Sequence, residues 1–167
     1  MAGALIVTGE FGSEDFAWLE RLRQAHYPPE RNQVPVHLTI FHALPPGAEE
    51  ELRSKLAKLA GGAAPKARIE GLRDLGGGVA FRIVSADLDR IRSDLARDLH
   101  GLLSAQDDAG WRPHITIQNK VAPKVSRALI ASLGGDFRPR SLAIRGLGLH
   151  RYLGGPWETL GVFGFRA

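Results

Sequence analysis

Two tetrapeptides in this chain can do chemistry together: His37-Leu38-Thr39-Ile40 and His114-Ile115-Thr116-Ile117. Each lies in a short apolar, β-branched run that reads as a buried strand, and in a strand successive side chains point to opposite faces. His and Thr therefore share one face, and Leu or Ile takes the other. Two such strands facing one cleft supply an acid, a base and two neutral hydrogen-bond donors. An imidazole with an unperturbed pKa of about 6.5 exchanges its proton near neutrality, so one ring can take a proton from attacking water while the other protonates a leaving oxygen. The two hydroxyls can then donate to oxygens on which charge builds up. This set suits phosphodiester cleavage. Two histidines can also be metal ligands, but neither strand offers an adjacent Asp or Glu, and no metal or cofactor is expected. A Thr nucleophile would need a third group to orient its His, and none is visible.

The elements that must position these residues can be read from periodicity and stop signals. A strand over 4–8 precedes a helix from Ser13, its expected cap, to about Tyr27, where Pro28-Pro29 breaks it. The first motif strand spans about Val34 to His42. Glu49-Glu50-Glu51 open a helix that places Leu52, Leu56 and Leu59 on one face and stops at Gly61-Gly62. A strand from about Lys66 to Leu75 leads to the turn Gly76-Gly77-Gly78, and a further strand covers Val79 to Val84. Ser85 is expected to cap a long helix whose stripe Leu88, Ile91, Leu95, Leu99 and Leu102 is core. The second motif strand runs from about Trp111 to Gln118, and a helix from Pro123 to Leu133 follows. Strands around Leu142 to His150 and Trp157 to Phe165 close the chain through a hairpin at Leu153-Gly154-Gly155-Pro156. Adding 77 (114 minus 37) to the first-half numbers overlays helix on helix and strand on strand. The chain thus reads as a duplicated βαβαβ unit, an α/β or α+β sandwich with lobes 1–76 and 77–167. A pseudo-twofold axis would bring the motif strands face to face.

Composition sets outer bounds. A chain of 167 residues with 44% hydrophobic content can bury a core as one domain. No apolar stretch approaches a membrane span and the N-terminus lacks the features of a signal peptide, so a cytoplasmic location is expected. There is no cysteine, which excludes disulfides, thiolate zinc sites and a cysteine nucleophile. The net charge is +4, and arginine, whose planar fork matches phosphate oxygens, heavily outnumbers lysine. Arg138, Arg140, Arg145 and Arg151 fall in a stretch without acidic residues and form a candidate phosphate-attracting stripe, or simply a solvated strand face.

The paired motifs with their flanks, Pro35-Val36-His37-Leu38-Thr39-Ile40-Phe41 and Trp111-Arg112-Pro113-His114-Ile115-Thr116-Ile117, one in each half, resemble the 2H phosphoesterase superfamily. The resemblance is to its 2′-5′ RNA ligase or LigT-like members, RNA 2′,3′-cyclic phosphodiesterases, and Gly155-Pro156-Trp157-Glu158-Thr159-Leu160 is similar to the family's terminal hairpin. It implies an α+β fold with two small antiparallel-containing sheets flanked by helices around a central cleft. It also implies His37, Thr39, His114 and Thr116 as catalytic residues, with a nucleotide or RNA 2′,3′-cyclic phosphate as substrate. Hydrolysis to a monoester is the expected reaction, and 2′-5′ ligation is the same chemistry reversed. Which histidine is acid and which is base stays open. The alternative is a nucleotide- or RNA-binding module of the same fold. A bilobal chain that completes its own cleft is expected to act as a monomer.

Four further residues are candidates for substrate contact. Phe41, on the His37 and Thr39 face by alternation, can stack on a base, as can Tyr152 and Trp157. Lys120, just past the second motif, can meet a phosphate, although Asn119 occupies one position where family members carry a basic residue. His42 alternates off the motif face and reads as a strand-end surface residue. His26 and His100 read as helix-surface residues, and His150 lies beside Arg151 in the basic stretch.

Overall fold

Two successive strand–helix–strand–helix–strand units build the chain in a computed structural model that describes residues 3–166. The first comprises β1 (Leu5–Phe11), α1 (Ser13–His26), β2 (Leu38–Leu44), α2 (Glu49–Ala60) and β3 (Lys66–Asp74). The second comprises β4 (Val79–Val84), α3 (Ala86–Asp98), the short α4 (Ala105–Asp108), β5 (His114–Gln118), α5 (Pro123–Gly134) and β6 (Arg140–Tyr152), and β7 (Trp157–Gly164) follows. Local chemistry explains most boundaries. The Ser85 hydroxyl accepts from the Leu88 N–H at 3.0 Å and caps α3 as expected. Leu52 and Leu56 of α2 are fully buried.

Several boundaries depart from the sequence reading. Ser13 is the first helical residue of α1 and not its cap; Gly12 holds that position, with no side-chain hydrogen bond. The first motif strand begins at Leu38 and the second at His114, because Pro35 and Pro113 cannot donate to a strand ladder. Helix α3 ends at Asp98, and Gly101 adopts φ 85° just beyond, a conformation that favours glycine after a helix. Leu102 consequently leaves the stripe and is 41% exposed. The α4 turn, capped by Ser104 on the Asp107 N–H, gave no periodic signal.

Every strand pair is antiparallel, along the path β2-β1-β6-β3-β4-β5, with β7 also pairing β6. The 13-residue β6 is shared: Arg140–Ala143 pairs β3, and Ile144–Arg151 pairs β1. The closing strand of each sequence half is thereby exchanged, β3 joining β4 and β5, and β6 joining β1 and β2. Segments 1–76 and 77–167 therefore do not each own a sheet. The motif strands β2 and β5 stand at opposite ends of the path, yet they touch. Accumulated right-handed twist lets a six-strand path bring its ends together. One continuous core, including Leu38, Ile40 and Phe41 of β2 and Ile115 and Ile117 of β5, lies behind them.

Candidate active site

Each motif histidine is fixed by its own proline-containing lead-in. His37 Nδ1 lies 2.8 Å from the Pro35 carbonyl, and His114 Nδ1 lies 2.8 Å from the Arg112 carbonyl, the same two-residue relation in both halves. A carbonyl only accepts, so each Nδ1 must carry the proton and donate it. That leaves both Nε2 atoms with free lone pairs when the rings are neutral. Arg73 also approaches His114 Nδ1, at 3.5 Å. The shorter carbonyl bond decides the tautomer, because a protonated Nδ1 cannot accept from a guanidinium.

The threonines are held by the opposite half of the chain. Trp111 Nε1 donates to the Thr39 carbonyl at 3.0 Å, and Arg23 donates to the Thr116 carbonyl at 2.9 Å. Each motif strand is pinned by a side chain from the other unit, which aligns the two His-x-Thr faces. Together His37, Thr39, His114 and Thr116 line a single cavity of about 700 Å³. The walls carry Arg23, Arg73 and Arg112, and among the described residues none of the three is ion-paired with a carboxylate. Arg23 is buried, with its guanidinium 4.1 Å from the Tyr27 ring centroid and bonded to Asn32.

This cationic, partly buried setting acts on both imidazoles. Burial, reinforced by Arg23, His150 and His42, pushes the His37 pKa down to about 4 against the opposing hydrogen bond to Pro35. Burial also lowers that of His114, with Arg73 and His42 adding to the effect. Both shifts favour the neutral ring in the free protein. An entering anion would favour a proton on either.

The other candidates divide. Trp157 lines the cavity and packs on His37, with ring centroids 4.6 Å apart. Tyr152 and Lys120 do not line it; Lys120 sits on an exposed left-handed turn at φ 63°, and Asn119 reaches the cavity instead. Phe41 is fully buried in the core, a correction to its expected place on the motif face. The cause is a register slip in β2: Thr39 pairs Thr8 but Phe41 pairs Val7, so Ile40 is an extra residue. A bulge reverses the alternation beyond it. Phe41 goes inward and His42, expected off the face, turns into the cavity.

His150 is buried, with Nε2 2.9 Å from the Thr8 hydroxyl and Nδ1 3.1 Å from that of Thr159, behind Trp157. The arginine stripe does not line the cavity. Arg140 pairs with Asp15 and Arg151 with Glu49, and Arg138 donates to a neighbouring carbonyl. The cations that do face it, Arg23 and Arg73, come from a helix and a closing strand far from either motif; only Arg112 carried a signal, its adjacency to His114. Among the described residues no three His, Asp or Glu side chains converge in a way that could hold a metal ion, and no helix is long and apolar enough to cross a membrane.

The fold has solved counterparts. The chain is similar to TT0787 of Thermus thermophilus, with 19% identity, 98% of each chain covered and a TM-score of 0.66. It is also similar to E. coli LigT complexed with 3′-AMP, with 17% identity, 100% of each chain covered and a TM-score of 0.64. The apo form of LigT gives 18% identity, 100% and 99% coverage and a TM-score of 0.63. No curated protein sequence gives a significant match. At these identities the structures speak for the fold alone. A family model, however, matches residues 11–156, nearly the whole chain and both motifs, and the chain belongs to the 2′-5′ RNA ligase superfamily of 2H phosphoesterases.

Proposed function

We propose that this protein is a metal-independent phosphodiesterase that opens 2′,3′-cyclic phosphates on RNA ends or nucleotides. One observation carries the reading: two imidazoles with matched tautomers, each presenting Nε2, line one cavity whose unpaired cations are all guanidinium groups. Arg23, Arg73 and Arg112 draw in the phosphate anion, and its charge restores the proton that burial removes from one ring. Burial bears hardest on His37, which suits it to be the base, and His114 then serves as the acid. Water attacks phosphorus and gives its proton to His37 Nε2. As the new phosphorus–oxygen bond forms, the bond to one ribose oxygen breaks, and His114 protonates that oxygen to leave a monoester. Thr39 and Thr116 donate to the non-bridging oxygens.

A ribose 5′-hydroxyl can take the place of water: its oxygen bonds to phosphorus, its proton goes to the base, and the released ring oxygen is protonated by the acid, which is 2′-5′ ligation from a cyclic phosphate. LigT structures are described with 3′-AMP and with ATP, which supports a ligand of the nucleotide class for this cleft. Both motifs and their cross-braces come from one chain, so a monomer suffices. The test is hydrolysis of a panel of nucleoside 2′,3′-cyclic phosphates in EDTA by the wild type, His37→Ala and His114→Ala. Turnover that persists in chelator and falls at least about 100-fold in either variant is expected. Nucleotide binding without turnover of any panel member would leave a binding module.

A further inference from the structure

A third imidazole enters the cavity from a position that strand alternation places off the motif face. Beyond the extra residue Ile40, β2 slips a second time: Phe41 pairs Val7 and Leu44 pairs Leu5, so His42 and Ala43 together oppose one residue. The backbone N–H groups of His42 and Ala43 point away from β1 to the Asp107 carboxylate, at 2.8 to 3.0 Å. His42 Nδ1 lies 3.1 Å from the same carboxylate. Asp107 is 1% exposed, and Ser104 donates to it as well, at 3.2 Å. Its hydrogen bonds, above all those from His42, hold it ionised against the penalty of burial.

This ring differs from the motif pair in one respect. His37 and His114 are oriented by neutral carbonyls, whereas His42 is oriented by an ionised carboxylate, the relation that fixes the tautomer of a working histidine and balances its charge when it holds a second proton. The carboxylate accepts only, so Nδ1 donates to it and Nε2 is the free nitrogen. The side chain keeps 36% exposure, within the cavity that also holds the motif residues. A charge on its ring disfavours a proton on both His37 and His114. The support is itself braced. Arg92 of α3 donates to the Asp107 carbonyl at 2.5 Å, reaches the Ile40 carbonyl at 3.5 Å and lies 4.6 Å over the Phe41 ring. The backbone donors and Ser104 hold the carboxylate in place beside the ring and so fix the orientation of His42.

We propose that His42, oriented by Asp107, is a third substrate-contacting histidine whose ring takes up a second proton as the anion binds and donates from Nε2 to a phosphate oxygen of the bound ligand. This rests on the phosphoester reading of the cavity. Asp107 on α4, braced by Arg92 on α3, meets the ring, and the cavity that it enters is also lined by His37 ahead of β2 and His114 on β5.

The test is imidazole-resolved ¹⁵N NMR during titration with inorganic phosphate and adenosine 3′-monophosphate, with cyclic-phosphate kinetics on His42→Gln and Asp107→Asn. Ligand-induced shifts at Nε2 of His42 as well as of His37 and His114 are expected. His42→Gln should weaken phosphate binding and raise KM by about tenfold, the loss of one charge-assisted hydrogen bond, with a smaller change in kcat. Asp107→Asn should alter the His42 tautomer and raise KM in the same direction, at an unchanged His37 tautomer. If phosphate shifts His37 and His114 while His42 stays still and His42→Gln binds as wild type, His42 is only a cover for the bulge and the proposal is overturned, with the phosphoester reading intact. If no ring responds to either ligand, both fall.

Discussion

The depressed pKa of His37 makes a quantitative prediction that needs no substrate. Its folded value is about 4 and its unfolded value about 6.5, so between these the unfolded chain binds a proton that the folded protein refuses. Stability from this ring is therefore complete above the unfolded value and is lost as pH falls toward the folded one. Linkage over a drop from pH 7 to pH 4.5 gives a loss of about 2.4 kcal/mol from His37 alone, an upper bound because the ring is half-buried at a cleft. Glu10 and Asp107, whose pKa values are also lowered, lose their contributions mainly below their unfolded values of 4.5 and 3.8, at and under the foot of this range, whereas burial of His114 acts within it in the same sense as His37. The clean quantity is thus a difference of differences. Urea unfolding of wild type and His37→Gln is measured at about pH 7 and about pH 4.5, and the wild type is expected to lose up to about 2.4 kcal/mol more than the variant. Equal losses within about 0.5 kcal/mol would refute a desolvated, neutral His37, and with it the assignment of that ring as the base.

Two substitutions probe the frame around the site. Trp111→Phe deletes the donor to the Thr39 carbonyl; unfolding free energy should fall by about 1 kcal/mol and kcat should drop, with KM nearly constant, in thermal melts and steady-state kinetics. Gly78→Ala would place a Cβ 2.1 Å from the Gln118 carbonyl oxygen and 2.7 Å from the Asn119 Cα, where β4 meets the end of β5. Backbone must move, so a loss of about 2 kcal/mol or more is expected on calorimetry, with lower activity as Thr116 shifts.

The candidate site residues were legible in the sequence because their shared face depends on residue type at short range. A histidine and a threonine two apart in an apolar run share a face whatever the surrounding fold, and their recurrence 77 residues later, with matching helices between, specified the repeat and hence the paired His37, Thr39, His114 and Thr116. Cap and stop residues such as Ser85 and the glycines after α2 worked for the same reason: their effect is local. What failed at the cavity depended on pairing between distant strands. Alternation put Phe41 in the cleft and His42 out of it, and only the register of β2 against β1 reversed them. The arginine stripe was contiguous in sequence, but Arg140 and Arg151 are met by Asp15 and Glu49 from two helices, while two of the three arginines that reach the cavity, Arg23 and Arg73, come from segments with no local mark. The crossing of β3 and β6 between the halves, the mutual pinning of Thr39 by Trp111 and Thr116 by Arg23, and the seating of His42 on Asp107 all join residues far apart along the chain. Side-chain type and short-range periodicity fixed which groups this protein brings to its site; strand register and long-range hydrogen bonds, which no local pattern encodes, decided which of them face it.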